Sequence, residues 1–341
     1  MYSFRNDYSE GAHPRILQAL ADTNLEQTCG YGLDPICAEA AESIRSACAA
    51  PEADVHFVVG GTQANLLVIH ALIHSYESVI AADTGHVNVH ETGAIEATGH
   101  KVCTIPAPDG KLTPALVRTV VGAHSSEHMV HPRLVYLSES TEVGTLYTKS
   151  ELTELRRCCD ENGLLLFLDG ARLGSALVAL NGELTLADLA ALCDVFTIGG
   201  TKNGALFGEA LVFRSRDLSP CFRWYMKQRG AMLAKGRLLG IQFRELLRDG
   251  LYFDLARHAN AMAARLRDGM LAKGYPFPLD SRTNQLFPVL PNAVVEEMSR
   301  NYAFEIDRAV DSTHTSVRFV TSWATPESAV DGFLRDLPAL R

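Results

Sequence analysis

At 341 residues the chain is longer than one compact core of ordinary size, so two domains are expected. Hydrophobic residues make up 47% and charged residues 21%, which excludes a largely disordered chain. The formal charge is −9 with no long basic run, and this argues against nucleic acid or an anionic membrane as partner, since both are recognised through clustered Lys and Arg.

Eight cysteines occur without a CxxC pair, which fits reduced, mostly buried thiols in a cytoplasmic protein. The first ten residues hold no apolar h-region, so no signal peptide is read. No stretch approaches ~18 uninterrupted apolar residues, the length a membrane span needs.

In chain order, Asp34-Pro35 opens a helix as N-cap and first helical residue, and Pro51 closes that segment. A buried strand is expected over 55–59, then a helix over 63–74 with Leu66, Leu67, Ile69 and Ile73 on its apolar face. Short apolar strands follow at 79–81, 102–105 and 134–137, with a helix capped by Thr113-Pro114 before the last of them. A helix over 151–162 stops at Gly163 and leads into the unbroken apolar run 164–168, the pattern of a parallel strand covered on both faces. Strands at 195–198 and 211–213 complete this half. Long helices are then expected over 232–247 and 255–271, a strand over 284–290, another at 317–320, and a last helix after Thr325-Pro326. The reading is a large α/β domain over residues 1–250, with a mostly parallel central sheet, and a smaller C-terminal α+β domain over 251–341.

Ligands of open α/β sheets bind outside the carboxyl ends of the strands, and three strand ends carry suggestive residues. Gly60-Gly61-Thr62 joins a strand to a helix start, whose free N–H groups and close backbone suit a phosphate. A plain strand-to-helix turn would look the same, but neither GxGxxG nor GxxxxGK is present, which weighs against dinucleotide and P-loop readings. Asp169 ends the apolar run and precedes Gly170-Ala171-Arg172. A carboxylate there needs a cationic partner: either Arg172 in a structural ion pair, or the protonated ring nitrogen of pyridoxal phosphate (PLP). Lys202 follows the strand at 195–198 inside a glycine run, where partial desolvation favours amine chemistry, although alone it reads as a loop lysine. Phosphate cradle, strand-end Asp and strand-end Lys, in that order, point together to PLP.

With these residues in view the sequence resembles the threonine aldolase family, among the fold-type-I PLP enzymes that include the β-eliminating lyases. The resemblance runs through Arg5-Asn6-Asp7, Tyr31-Gly32-Leu33-Asp34-Pro35, Gly61-Thr62-Gln63-Ala64-Asn65, Gly85-His86 and Glu139-Ser140-Thr141-Glu142. It continues in Leu168-Asp169-Gly170-Ala171-Arg172, Gly200-Thr201-Lys202-Asn203-Gly204 and Val317-Arg318-Phe319-Val320-Thr321. It implies a fold-type-I, transferase-like architecture in which Lys202 forms the Schiff base and Asp169 holds the ring nitrogen. It further implies that His86 stacks on the ring, that Gly60, Gly61 and Thr62 bind the phosphate, and that Arg172 and Arg318 grip the substrate carboxylate or the cofactor edge with Asn6 nearby. Tyr31, Lys227, Lys235 and Arg237 are expected to reach a neighbouring subunit's site, Lys235 toward the cofactor and Tyr31 toward the substrate. That implies a homo-oligomer, an obligate dimer or a tetramer built as a dimer of dimers, with shared sites.

Three positions depart from the family pattern. Many relatives carry Ser where this chain has Asn6, His where it has Glu142, and Ser where it has Gly60. The implied activity is cleavage of a β-hydroxy-α-amino acid, such as L-threonine or L-allo-threonine, to glycine and an aldehyde. His86 is the first candidate for the base, because an imidazole titrates near neutrality, and Glu91 and Glu142 follow. Another PLP reaction (β-elimination, racemisation, transamination) or a PLP-binding protein without turnover stays open, because the cofactor site is common to all of them. His124, His128 and His131 lie in a polar loop with no ligand set completing a metal site, so none is expected.

Overall fold

A computed structural model describes residues 1–340. Thirteen strands are present among them: β1 (Tyr2–Ser3), β2 (Asp54–Val58), β3 (Glu77–Ala82), β4 (Lys101–Ile105), β5 (His131–Ser138), β6 (Leu165–Asp169), β7 (Val195–Gly199), β8 (Glu209–Phe213), β9 (Gln285–Leu286), β10 (Val289–Pro291), β11 (Tyr302–Ala303), β12 (Glu305–Ala309) and β13 (His314–Val320). Seven of them form the central sheet in the order β2-β8-β7-β6-β5-β3-β4. Strands β3 to β7 are mutually parallel, and β8 runs antiparallel to both β7 and β2. One edge of the sheet therefore gathers the carboxyl ends of β2, β3, β5, β6 and β7 together with the first residue of β8. Asp169, Ser138 and Glu209 all stand on that edge.

Alternation along the central strands explains why they read as apolar runs. On β5, Leu134 and Tyr136 face one core while Val135 and Leu137 face the other; on β6, Phe167 faces the first and Leu166 and Leu168 the second. Both faces are covered by helices, as parallel strands require. Local chemistry sets the helix starts. Asp34 and Thr113 accept from Cys37 N and Leu116 N ahead of a proline, and Thr148 closes a capping box with Glu151.

A third core belongs to the C-terminal strands and includes Phe4, which is fully buried and packs edge-on against Phe319 and Phe333. Strand β1 pairs in parallel with β11, so the first residues of the chain join the last quarter of it. Strand β13 pairs with β9, β10 and β12.

Two sequence expectations are corrected. The helix expected over 232–247 is Arg237–Leu247. The Ala234 carbonyl accepts from Tyr31 N at 3.2 Å instead of making a helical bond, and Gly236 sits so close to Gly32 that a Cβ would lie 2.3 Å from its nitrogen. The strand expected over 284–290 is split into β9 and β10, which keep one register on β13. Pro288 lacks the N–H needed to continue the ladder between them. Among the described residues no helix is long and apolar enough to cross a membrane.

Candidate active site

Two small cavities open at the carboxyl edge of the central sheet and meet at Ala171, Arg172 and Lys202. Lys202 lies three residues beyond the end of β7, in a turn held by Gly200 N and Thr201 N donating to Gly208 O at 3.0 and 3.1 Å. Burial, then the neighbouring Arg172 charge, pulls its amine below the ordinary lysine value, against the carboxylates of Asp7, Asp169 and Glu209. A lysine so placed is neutral more often than one in water, which is what a nucleophilic amine requires.

Asp169 closes β6 and is almost fully buried. Its Oδ2 accepts from Tyr136 Oη at 2.7 Å and Asn65 Nδ2 at 2.9 Å, and its Oδ1 accepts from Ala171 N at 2.9 Å. Burial holds the Tyr136 phenol far above its ordinary pKa, so it stays a donor. Asn65 Nδ2 also donates to Glu91 Oε1 at 2.7 Å, and the same oxygen partners His86 Nδ1 at 2.7 Å. A continuous chain thus links Asp169, Asn65, Glu91 and His86. Burial alone would lower the His86 pKa; the hydrogen bond to Glu91, then the charges of Asp169 and Glu91, outweigh it and raise the value. Glu142 lines the cavity beside His86, and its Oε1 accepts from Ser138 Oγ at 2.6 Å and His86 N at 2.9 Å. Burial pushes its carboxyl above the usual range.

Arg172 is held from behind. Its Nε and Nη2 donate to Asp7 Oδ2 at 2.7 Å and Oδ1 at 3.1 Å, and Asn284 Nδ2 donates to the same carboxylate at 2.8 Å. The ion pair that sequence reasoning weighed for Arg172 exists, but its partner is Asp7 and not Asp169. Nη1 makes no hydrogen bond within the chain and is left for an incoming anion. Arg318, on β13, has a buried Nε without a hydrogen-bond partner, and its charge is felt at His90. A buried guanidinium N–H without a partner is costly, and an anionic ligand brought close would satisfy it, although Arg318 itself lines neither cavity at Lys202.

Gly60 caps the helix Gly61–Leu72 without a side-chain bond, leaving its first N–H groups open, and a Cβ at Gly60 or Gly61 would meet no protein atom within 4 Å. Thr62 is exposed there. An anion fits this helix start, a pyridine nitrogen fits Asp169, and an aldehyde fits Lys202, so the donor set matches pyridoxal phosphate.

Other predicted residues stand apart. Asn6 uses its Oδ1 locally, accepting from Tyr8 N and Ser9 Oγ. Tyr31 lies under the Lys227 ammonium, 4.6 Å from its ring centroid, and lines a separate cavity of about 320 Å³ with Arg45, His56 and Arg223. Neither Tyr31 nor the exposed Lys235 lines the cavities at Lys202, and Arg237 is taken up by the carbonyls of Thr23 and Asn24. Glu91 is buried and does not line the cavity. Sequence reasoning gave no role to Asn65, Tyr136, Ser138, Asp7, Asn284 or Glu209. Tyr136 and Ser138 follow each other by two on β5 and so share a face, a signal that was available. Among the described residues no group of three or more His, Cys, Asp or Glu is disposed to hold a metal ion.

A mostly parallel sheet with a strand-end Asp, a strand-end Lys and an open helix start defines the fold-type-I PLP-dependent class. Thermus thermophilus aspartate aminotransferase shares this fold at 14% identity, with a TM-score of 0.73 over 98% of this chain and 90% of that one. The chain belongs to the beta-eliminating lyase family, which it matches over residues 4–292. It is 35% identical to a low specificity L-threonine aldolase of Pseudomonas sp. over 99% of this chain and 97% of the relative. The corresponding protein of Pseudomonas aeruginosa is 34% identical over 98% and 96%. The structure of a Leishmania major threonine aldolase superposes with a TM-score of 0.97 at 49% identity, covering 99% of this chain and 98% of that one.

Proposed function

We propose that the chain is a PLP-dependent carbon–carbon lyase that cleaves L-threonine or L-allo-threonine to glycine and acetaldehyde. The observation that carries this reading is the convergence of Lys202, Asp169, Arg172, His86 and Glu142 on one cavity, in a chain similar along its whole length to low specificity L-threonine aldolases. When bound, pyridoxal phosphate supplies the electron sink for the pair left at Cα when the Cα–Cβ bond breaks.

The chain's own residues do the rest. Lys202 Nζ is the attachment point, and its depressed basicity keeps the amine reactive. Asp169, fixed by Tyr136 and Asn65, keeps a proton on the pyridine nitrogen, an effect that grows as charge develops in the transition state. Gly60, Gly61 and Thr62 hold the phosphate at the helix start. Arg318 Nε and Arg172 Nη1 orient the substrate carboxylate, and the Asp7 fork fixes the plane of Arg172. His86 lies along the cavity wall as the ring-stacking side chain, its imidazole locked by Glu91.

Tyr31, Lys227 and Lys235 lie off their own cavity, which supports a dimer of dimers in which they reach a neighbour's site. Eight free cysteines, six of them buried, support a reducing, cytoplasmic setting. The left-handed Asp249 (φ 56°) and Gly250 (φ 74°) between the helices Arg237–Leu247 and Leu251–Ala272 support a domain boundary near residue 250, with β1 attached to the second unit. The test is an assay for acetaldehyde with L-threonine and L-allo-threonine side by side. Aldehyde and glycine in equal amounts are expected; pyruvate with ammonia would overturn the reading.

A further inference from the structure

Three titratable side chains, His86, Glu91 and Glu142, are candidates to take the proton from the substrate's β-hydroxyl, and their hydrogen bonds separate them. This assignment rests on the aldol-cleavage reading above. Glu91 does not line the cavity; one carboxylate oxygen is spent on His86 and Asn65, and the other is enclosed without a partner. It has no path to a substrate. His86 does line the cavity, but its Nδ1 is held 2.7 Å from Glu91, and against burial the Glu91 hydrogen bond, then the Asp169 and Glu91 charges, raise its pKa. Protonation of the ring removes the Nε2 lone pair, so the raised value favours a stacking, charge-bearing role over acceptance of a proton.

Glu142 is built differently. The hydrogen bonds from Ser138 Oγ at 2.6 Å and from the His86 main chain at 2.9 Å fall on Oε1, and the residue's own main-chain N–H also favours the carboxylate. Those contacts fix the carboxylate plane and leave Oε2 as the oxygen free to act in a cavity shared with Lys202. We propose that Glu142 is the catalytic base of the cleavage, taking the β-hydroxyl proton on Oε2. The O–H bond breaks and its electron pair becomes the second C–O bond of the departing aldehyde. The Cα–Cβ pair passes to Cα, where a solvent proton completes glycine, and Glu142 returns its proton to solvent. Atoms and electrons balance without an oxidant or reductant.

The groups facing Glu142 are Ser138 and Tyr136 on β5, His86 and Asp169, and Lys202 and Arg172 across the cavity. Burial first, with the Asp169 charge adding, raises the basicity of Glu142 above that of an ordinary carboxylate, against the bonds from Ser138, its own main chain and His86. A base so tuned works closer to neutral pH.

The test uses holoenzyme and two readouts: aldehyde release from L-threonine, and exchange of the glycine α-hydrogen with deuterated solvent. The second needs Lys202 and the cofactor but no β-hydroxyl. Glu142→Gln should keep the visible cofactor band, hold exchange within about threefold, and lose cleavage by roughly 10²–10⁴-fold. Its cleavage rate should also lose the rise with pH that Glu142 imposes on the wild type, and Glu142→Asp should restore part of the rate. Cleavage within about threefold of wild type would overturn the assignment. So would an equal loss of cleavage and exchange, which would make Glu142 a support of the cofactor site. A wild-type protein that exchanges glycine but releases no aldehyde would overturn the aldol reading, and this assignment with it.

Discussion

Asp7→Asn removes one negative charge from the joint between the first residues of the chain and the catalytic sheet. Asp7 is fully buried, and the Arg172 side chain is 16% exposed, so water cannot replace the lost partner. Removing one member of such a pair costs about 3–5 kcal/mol, because the other charge stays buried and uncompensated. At 1.4 kcal/mol per factor of ten, the opening equilibrium of the N-terminal segment should shift by about two to three and a half orders of magnitude. Native-state hydrogen exchange reads this locally. The Phe4 amide donates to Ala303 O at 2.7 Å and the Val320 amide to Phe4 O at 2.8 Å. Their protection should fall by that factor in the variant while amides of β6 keep theirs. Burial opposes ionisation of Asp7, but the Arg172 and Lys202 charges prevail and hold its carboxyl below the usual range. Stability from a depressed carboxyl is present above its unfolded value of ~3.9 and is lost as pH falls through the native value. Protection in the wild type should therefore decline in that acidic window, and the variant should lack this dependence. Protection within about threefold of wild type would refute the reasoning.

Gly61→Val fills space that no protein atom occupies; urea unfolding of the apoprotein should change by under about 1 kcal/mol, while a titration with pyridoxal phosphate should show affinity weakened about tenfold or more. Arg318→Ala removes a charged donor for the substrate carboxylate, so KM for L-threonine should rise about 10- to 150-fold with little change in kcat. Glu91→Gln should lower the His86 pKa, read by NMR titration. In the wild type the raised imidazole value makes the pair's contribution full below the unfolded value of ~6.5 and lost as pH rises through the native one. The variant should lose that dependence.

Lys202 and Asp169 were legible because Asp169 ends an apolar strand and Lys202 follows another within three residues, which places both on the edge where ligands bind. The partners that give them their properties were not, because they come from distant parts of the chain. Arg172 meets Asp7 across 165 residues, Asn65 meets Asp169 across 104, and the His86 main chain meets Glu142 across 56. No periodicity encodes such pairings. The same limit explains the helix that starts at Arg237 instead of 232, since the Ala234 carbonyl is diverted by Tyr31, which is remote in sequence. The break between β9 and β10 was readable in principle from Pro288 alone. Tyr31 and Lys235 carried a motif-level expectation that a single chain leaves unused, in keeping with the shared site proposed for the oligomer.

The most direct test of the central claim is a peptide map of protein reduced with borohydride after loading with pyridoxal phosphate. The account predicts loss of the visible band and a single pyridoxyl-phosphate adduct on the peptide containing Lys202. An adduct on another lysine, or none, would contradict it.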